Sequence, residues 1–149
     1  MCGIVGILNS SSLKNNSIDI LKKLEYRGYD SAGISLFSKE RIKTIKSVGK
    51  ISELKNKAQN VSDKNFYGVI GHTRWATHGV VSKNNAHPFA NDDLTLVCNG
   101  IIENYRKIQN RFVEIPKNIQ SDTEISFYLL TYLAVSYTHL RANETSGYL

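Results

Sequence analysis

The residue with the clearest chemical potential is Cys2, which directly follows the initiator methionine. If Met1 is removed, a thiol and a free α-amine belong to one residue. An α-amine has a reference pKa of about 7.7–8.0, so it can act as a neutral base near physiological pH. It can take the thiol proton directly or through one water, as in enzymes with an N-terminal threonine nucleophile. The position predicts a nucleophile that carries its own base, although cysteine is also often a small buried hydrophobe.

Attack of a thiolate on an amide creates an oxyanion, which needs preorganised hydrogen-bond donors. Asn99-Gly100 supplies a side-chain amide and an unobstructed backbone N–H. The same dipeptide is a leading signal for a plain β-turn. The sequence leaves both interpretations open.

Two charged side chains suit the ends of an amino-acid substrate. Arg74 offers a planar, forked donor for a carboxylate. Asp122 could take an ammonium group, or it could serve only the dipole of the helix that begins beside it. Arg74 lies in a long irregular stretch, residues 73–93, and loops of that length inside a compact domain are usually functional or disordered. We predict that this one is functional, since it also holds Trp75, Thr77, His78 and His87.

Short strands and amphipathic helices must position these residues. Apolar and β-branched runs predict strands at residues 3–8, 32–37, 41–48, 66–71 and 94–98. A helix capped by Ser17 should carry Ile18, Leu21 and Leu24 and stop near Gly28. A short helix is predicted at residues 52–57. The clearest helix follows Ser121-Asp122-Thr123-Glu124, which has capping-box spacing, with apolar positions Ile125, Tyr128, Leu129, Tyr132 and Leu133.

Composition restricts the class of protein. The chain has 149 residues, 41% of them hydrophobic, which is ordinary for one globular domain. Lysine and arginine total 19 against 13 acidic residues, but the basic residues are dispersed, so we predict no nucleic-acid partner. No secretory signal and no membrane-spanning run is evident. Two distant cysteines indicate neither a disulfide framework nor a metal site, and a cytoplasmic location is expected.

Six motifs, in this order, resemble those of the class II, N-terminal-cysteine glutamine amidotransferases. The resemblance is closest to the branch that makes amino sugars, and it covers residues 1 to about 133. The motifs are Met1-Cys2-Gly3-Ile4-Val5-Gly6, Leu24-Glu25-Tyr26-Arg27-Gly28-Tyr29-Asp30-Ser31-Ala32-Gly33, His72-Thr73-Arg74-Trp75-Ala76-Thr77-His78-Gly79, Asn85-Ala86-His87-Pro88, Asn99-Gly100-Ile101-Ile102-Glu103-Asn104 and Ser121-Asp122-Thr123-Glu124.

The resemblance implies a fold and a role for each site residue. The fold is α+β, a four-layer αββα sandwich of the N-terminal-nucleophile hydrolase type, here incomplete at its C-terminus. Cys2 is the nucleophile, and Asn99 and Gly100 form the oxyanion hole. The remaining roles are glutamine binding by Arg74, Thr77, His87 and Asp122, gating by the loop of Trp75, and support by Arg27 and His78.

The reaction implied is hydrolysis of the glutamine amide through a thioester, without a metal or cofactor. Ammonia would pass to a sugar-phosphate isomerase module, absent from this chain, that converts fructose 6-phosphate to glucosamine 6-phosphate. The parent protein would be a homo-oligomer. Three alternatives stay open: an amidotransferase of purine or asparagine synthesis, an inactive truncated fragment, and a pairing of Cys2 with His78 or His87.

The C-terminal residues form a separate case. The helical pattern ends at about Ala134, and residues 135–145 resemble the translated read-through of a sequencing adapter. We therefore predict a partial glutaminase domain at residues 1–133 and a tail at 134–149 that is not native sequence. A frayed native tail is the alternative.

Overall fold

A computed structural model of the chain describes residues 1–76 and 79–146, with side chains as far as Val135. These residues form an α+β fold. The strands are β1 (Gly3–Leu8), β2 (Ser31–Phe37), β3 (Ile42–Val48), β4 (Gly68–Arg74), β5 (Phe89–Ala90) and β6 (Thr95–Leu96). The helices are α1 (Leu13–Lys23), α2 (Ile51–Ala58), α3 (Tyr105–Arg111) and α4 (Asp122–Ser146), with a 3₁₀ turn at Glu25–Arg27.

The main sheet has four antiparallel strands in the order β1-β4-β2-β3. The strand β4 lies inside the sheet, because it pairs with β1 on one side and β2 on the other. Its register sets Thr73 opposite Gly3 and opposite Ala32. The end of β4 therefore lies beside the start of β1, where Cys2 is found.

One face of this sheet carries α1 and α2 and forms the main core. Strand residues alternate between the two faces, so Ile34 and Leu36 of β2 both point to the helices, and both are fully buried. Leu21 and Leu54 from the helices meet them there, also fully buried. Burial of a side chain of this size contributes about 1.5–3 kcal/mol. This packing makes the sheet a rigid support for the residues on its opposite face.

The opposite face is contacted by the segment around Pro88, which leads into a small second sheet of β5 and β6. Gly33 of β2 permits the contact, because a Cβ there would lie 2.3 Å from the His87 carbonyl oxygen and 2.9 Å from that of Ile45. Phe89 of β5 then packs near Phe127 of α4, with 6.5 Å between the ring centroids. This layer brings the loop residues of the sequence prediction onto the sheet.

The helices α3 and α4 enclose a second, smaller core. Ile115, Ile119 and Ile125 are buried in it. The predicted helix at residues 125–133 is confirmed, but α4 continues to Ser146, past the point where its amphipathic pattern ends. The helix α3 was not predicted from the sequence. Among the described residues, no helix is long and apolar enough to cross a membrane.

Three further predicted boundaries were wrong. The strand predicted at residues 66–71 is β4, Gly68–Arg74, so Thr73 and Arg74 lie in a strand and not in the irregular stretch predicted at residues 73–93. The first helix begins at Leu13, not at Ser17, because the Asp63 carboxylate accepts the Lys14 backbone N–H at 2.9 Å. That cap comes from 49 residues away, and Ser17 lies inside the helix with its hydroxyl donating to the Lys14 carbonyl. The strand predicted at residues 94–98 pairs only at Thr95–Leu96.

Candidate active site

Cys2 lies at the start of β1, next to the last residues of β4. The Gly3 backbone N–H donates to Thr73 Oγ1 at 3.0 Å, which fixes the chain directly after the thiol. A side chain at Gly3 has no room, because its Cβ would lie 2.7 Å from Leu24 Cβ and 2.8 Å from Thr73 Oγ1. The strand pairing and this close contact explain why a glycine follows the cysteine.

The Cys2 thiol lies against the backbone of Trp75. The Trp75 N–H donates to Cys2 Sγ at 3.4 Å, and the Trp75 carbonyl oxygen is 3.9 Å from the same sulfur. The indole itself is about half exposed, and it makes an edge contact with the ring of Tyr29 at 6.0 Å between centroids. The loop after β4 thus begins in contact with the Cys2 thiol.

The Asn99 side chain forms two hydrogen bonds with the backbone of Cys2. The Cys2 N–H donates to Asn99 Oδ1 at 3.2 Å, and Asn99 Nδ2 donates to the Cys2 carbonyl at 3.2 Å. Arg27 Nε donates to the same carbonyl at 3.3 Å. The structure therefore brings together Cys2, Asn99 and Arg27, which are far apart in sequence.

The loop of Trp75 is held by residues to which sequence analysis assigned no role. The Asp30 backbone N–H donates to the Arg74 carbonyl at 3.3 Å, and the Asp30 carboxylate accepts the Ala76 N–H. Gly28 packs directly under the loop, since a Cβ there would lie 2.7–2.9 Å from backbone atoms of Arg74 and Trp75. These residues stand in the second motif of the sequence, but only the fold shows what they contact.

A small cavity of about 20 Å³ opens beside the thiol. Arg74 and Asp122 line it, and both are buried. Both Asp122 carboxylate oxygens accept backbone N–H groups, one from Ile102 and one from Thr123, each at 2.9 Å. The complete lining is Cys2, Arg74, Trp75, His87, Cys98, Gly100, Ser121, Asp122 and Thr123.

Most of the predicted site residues meet at this cavity. Cys2, Gly100, Arg74, His87, Asp122 and Trp75 line it, while Asn99 and Arg27 hold the Cys2 backbone beside it. The predicted positions Thr77 and His78 lie outside the described residues. Cys98 also lines the cavity, and burial raises the pKa of its thiol, so that this thiol stays protonated near neutral pH.

Two histidines are buried behind the cavity. The rings of His72 and His87 lie 4.2 Å apart between centroids, and His72 Nε2 is 3.0 Å from the Cys98 carbonyl oxygen. Burial lowers the pKa of His72 to about 4 and that of His87 to about 2, and the positive charge of Arg74 acts in the same direction on both. Both rings are therefore neutral in the folded protein at physiological pH.

We expect these histidines to make the fold acid-labile. The unfolded chain binds protons on both imidazoles below about pH 6.5, while the folded chain does not until about pH 4 or lower. The stabilisation is thus complete above pH 6.5 and is lost as pH falls. Between pH 7 and pH 5 the loss should be about 2 kcal/mol for each histidine.

Urea unfolding at pH 7 and pH 5 measures this loss. In a His87→Phe variant, which keeps an aromatic ring, the difference in unfolding free energy between the two pH values should fall by about half, because only His72 remains. Equal wild-type stability at both pH values would contradict the assignment of two buried neutral imidazoles.

Comparisons with known proteins agree with the motif resemblance. The chain is 44% identical over 133 residues to the isomerizing glutamine–fructose-6-phosphate aminotransferase of Bartonella henselae, covering 88% of this chain and 22% of that protein. The protein of the same name from Helicobacter pylori is 45% identical over 132 residues, covering 87% and 22%. That from Francisella tularensis is 46% identical over 127 residues, covering 83% and 20%. The chain spans about a fifth of the length of these curated relatives.

A solved structure has the same fold over most of the chain. It is the glutamine phosphoribosylpyrophosphate amidotransferase of B. subtilis in complex with ADP and GMP, with a TM-score of 0.60 and 26% sequence identity. The likeness covers 87% of this chain and 28% of that one. No protein-family model matches the chain.

Proposed function

We propose that this chain, which over its matched residues belongs to the glutamine–fructose-6-phosphate aminotransferase family, hydrolyses the side-chain amide of glutamine through Cys2. One observation carries the proposal. The Asn99 side chain forms hydrogen bonds with both the N–H and the carbonyl of Cys2, while Arg74, Gly100 and Asp122 line the cavity beside the thiol. This arrangement supports Cys2 as the nucleophile, Asn99 and Gly100 as oxyanion donors, and Arg74 and Asp122 as the charged groups for the two ends of an amino acid.

The first chemical step requires removal of Met1. With Met1 attached, the Cys2 nitrogen is a peptide N–H that donates to Asn99 Oδ1 and cannot act as a base. Once free, the amine takes the thiol proton, and the thiolate attacks the carbonyl carbon of the glutamine side chain. The resulting oxyanion accepts hydrogen bonds from Asn99 Nδ2 and the Gly100 N–H. The protonated amine then gives its proton to the leaving nitrogen, and ammonia departs.

The second step releases the product. The glutamyl thioester on Cys2 is attacked by water, the amine again accepts a proton, and the thiol is restored as glutamate leaves. Asn99 and Gly100 stabilise the oxyanion of this step as well. Donors placed for developing charge contribute about 100–1,000-fold each in rate.

Binding of glutamine uses the charged lining of the cavity. Arg74 and Thr77 would bind the α-carboxylate, with His87 nearby, and Asp122 would bind the α-ammonium. A cavity of about 20 Å³ admits little more than one water, so glutamine entry requires the loop of Trp75 to move outward. That loop then closes over the substrate, and Arg27 and His78 support the closed site.

The proposal extends to the pathway of the relatives. Identity of 44–46% to glutamine–fructose-6-phosphate aminotransferases, against 26% to the phosphoribosylpyrophosphate enzyme, favours ammonia supply for glucosamine 6-phosphate synthesis over purine synthesis. The acceptor fructose 6-phosphate would bind an isomerase module of the parent protein, a cytoplasmic homo-oligomer. We also infer a four-layer αββα sandwich for the parent domain. That residues 134–149 form a tail of non-native sequence stays a prediction.

Glutamate release by the 149-residue protein tests the function. After mass spectrometry confirms the loss of Met1, we expect turnover of glutamine and, on acid quenching, a glutamyl group on Cys2. A control chain with one alanine inserted between Met1 and Cys2 keeps the Cys2 nitrogen in a peptide bond and should release no glutamate. A folded wild-type chain without turnover, checked by far-UV circular dichroism, would instead support an inactive fragment.

A further inference from the structure

His72 is a buried polar residue that the proposed reaction does not use. It lies in β4, with none of its side chain exposed to solvent, and its Nε2 is 3.0 Å from the carbonyl oxygen of Cys98. A carbonyl oxygen can only accept a hydrogen bond, so Nε2 must carry the proton. The contact therefore defines the tautomer of the ring.

The second ring nitrogen of His72 makes no competing hydrogen bond with the described residues. Its Nδ1 is buried without a hydrogen-bond partner among the described residues, and the ring lies against His87. Burying an acceptor without a hydrogen-bond partner costs about 1–3 kcal/mol. A phenylalanine at this position would avoid that cost. The imidazole is therefore better explained by what its Nε2–H does than by packing.

The carbonyl that it binds belongs to the peptide that leads into Asn99. Strand pairing ends at Leu96, so residues 97–100 are outside the sheet ladder, and the Cys98 carbonyl accepts a hydrogen bond from the His72 side chain. His72 of β4 also pairs with Ile4 of β1, next to the pair that Thr73 forms with Gly3. One strand, β4, is thereby tied both to the segment that carries Cys2 and to the segment that carries Asn99.

We propose that His72 is a positioning residue for glutamine hydrolysis, whose Nε2–H holds the Cys98 carbonyl and so sets the Asn99 side chain against Cys2. The inference rests on the proposed function, because it gives Asn99 its task as an oxyanion donor. His72 does not touch the substrate cavity itself, so its effect passes through Asn99.

Three substitutions separate the hydrogen bond from the shape of the ring. His72→Phe keeps the volume without a donor. His72→Gln puts an amide N–H near the position of Nε2, whereas His72→Asn puts it near Nδ1, too short to reach Cys98. We expect kcat for glutamine to fall by up to about 100-fold in the phenylalanine and asparagine variants and to recover most of that loss in the glutamine variant, with KM little changed.

A binding measurement gives a readout that general loss of structure would not move. The aldehyde analogue of glutamine adds the Cys2 thiol across its carbonyl, and the hemithioacetal oxygen needs the oxyanion donors, whereas glutamate needs only the charged lining. By calorimetry, the ratio of the glutamate Kd to the aldehyde Kd should fall in His72→Phe and His72→Asn and return toward wild type in His72→Gln.

The outcomes distinguish the inference from the function on which it rests. If wild type forms no aldehyde adduct on Cys2, the proposed function fails, and the inference with it. If wild type forms the adduct but His72→Phe keeps the wild-type kcat and Kd ratio, only the inference is overturned. The same holds if His72→Gln is as impaired as His72→Asn.

Discussion

A Cys2→Ala variant is expected to lose glutamine hydrolysis, with kcat lowered on the order of 10⁴-fold or more, as found when an enzyme loses its nucleophile. The reason is that Cys98, the other thiol among the described residues that line the cavity, is a poor replacement. The other thiol there, Cys98, has a raised pKa because it is buried, and a protonated thiol is a poor nucleophile. Glutamate release and the glutamyl thioester should therefore disappear together. Binding of glutamate should persist, since Arg74 and Asp122 are unchanged.

A Cys98→Ala variant is the matched comparison. It removes the second thiol but keeps the backbone carbonyl that His72 contacts. This variant should still form a glutamyl thioester on Cys2, and iodoacetamide should label Cys2 but not Cys98 in the wild-type protein. A thioester on Cys98, or turnover that survives Cys2→Ala, would refute the assignment of the nucleophile.

Local sequence patterns predicted the parts of the fold that local interactions determine. The strands β1, β2 and β3 and the helix α2 have their predicted positions to within one residue, because each combines an apolar pattern with nearby turn residues. The motif resemblance predicted the family, and the sequence comparisons confirm it. The motif resemblance also named most residues that line the cavity. The residue types within the motifs are characteristic of the family, even where the spacing between the residues is not.

The remaining features depend on contacts between distant segments. Asp63 caps α1 from outside, so the start of that helix could not be predicted from its own residues. The reciprocal bonds between Cys2 and Asn99 join residues 97 positions apart. The place of Asp30 under the Trp75 loop requires the pairing of β2 with β4. No periodicity or turn signal encodes such relations.

An Asn99→Asp variant should lower kcat by about 100–1,000-fold or more while KM changes little. The substitution is nearly isosteric and keeps the acceptor that faces the Cys2 nitrogen, at 3.2 Å in the wild-type protein. It replaces the only side-chain donor of the proposed oxyanion hole with a negative charge, which repels the developing oxyanion. Arg74 and Asp122 still bind the ends of glutamine, so ground-state binding is kept. Steady-state glutamate release at several glutamine concentrations separates the two parameters.

The control is Asn91→Asp, which makes the same chemical change away from the cavity. The Asn91 Oδ1 accepts the backbone N–H groups of Asp93 and Leu94 at 3.0 and 2.7 Å, and a carboxylate can do the same. Its kcat should stay close to wild type. Residual activity in Asn99→Asp is expected from the Gly100 N–H, which the substitution does not touch. If Asn99→Asp instead retains the wild-type kcat, the bonds of Asn99 to Cys2 only hold the strand, and the oxyanion donors lie elsewhere in the cavity.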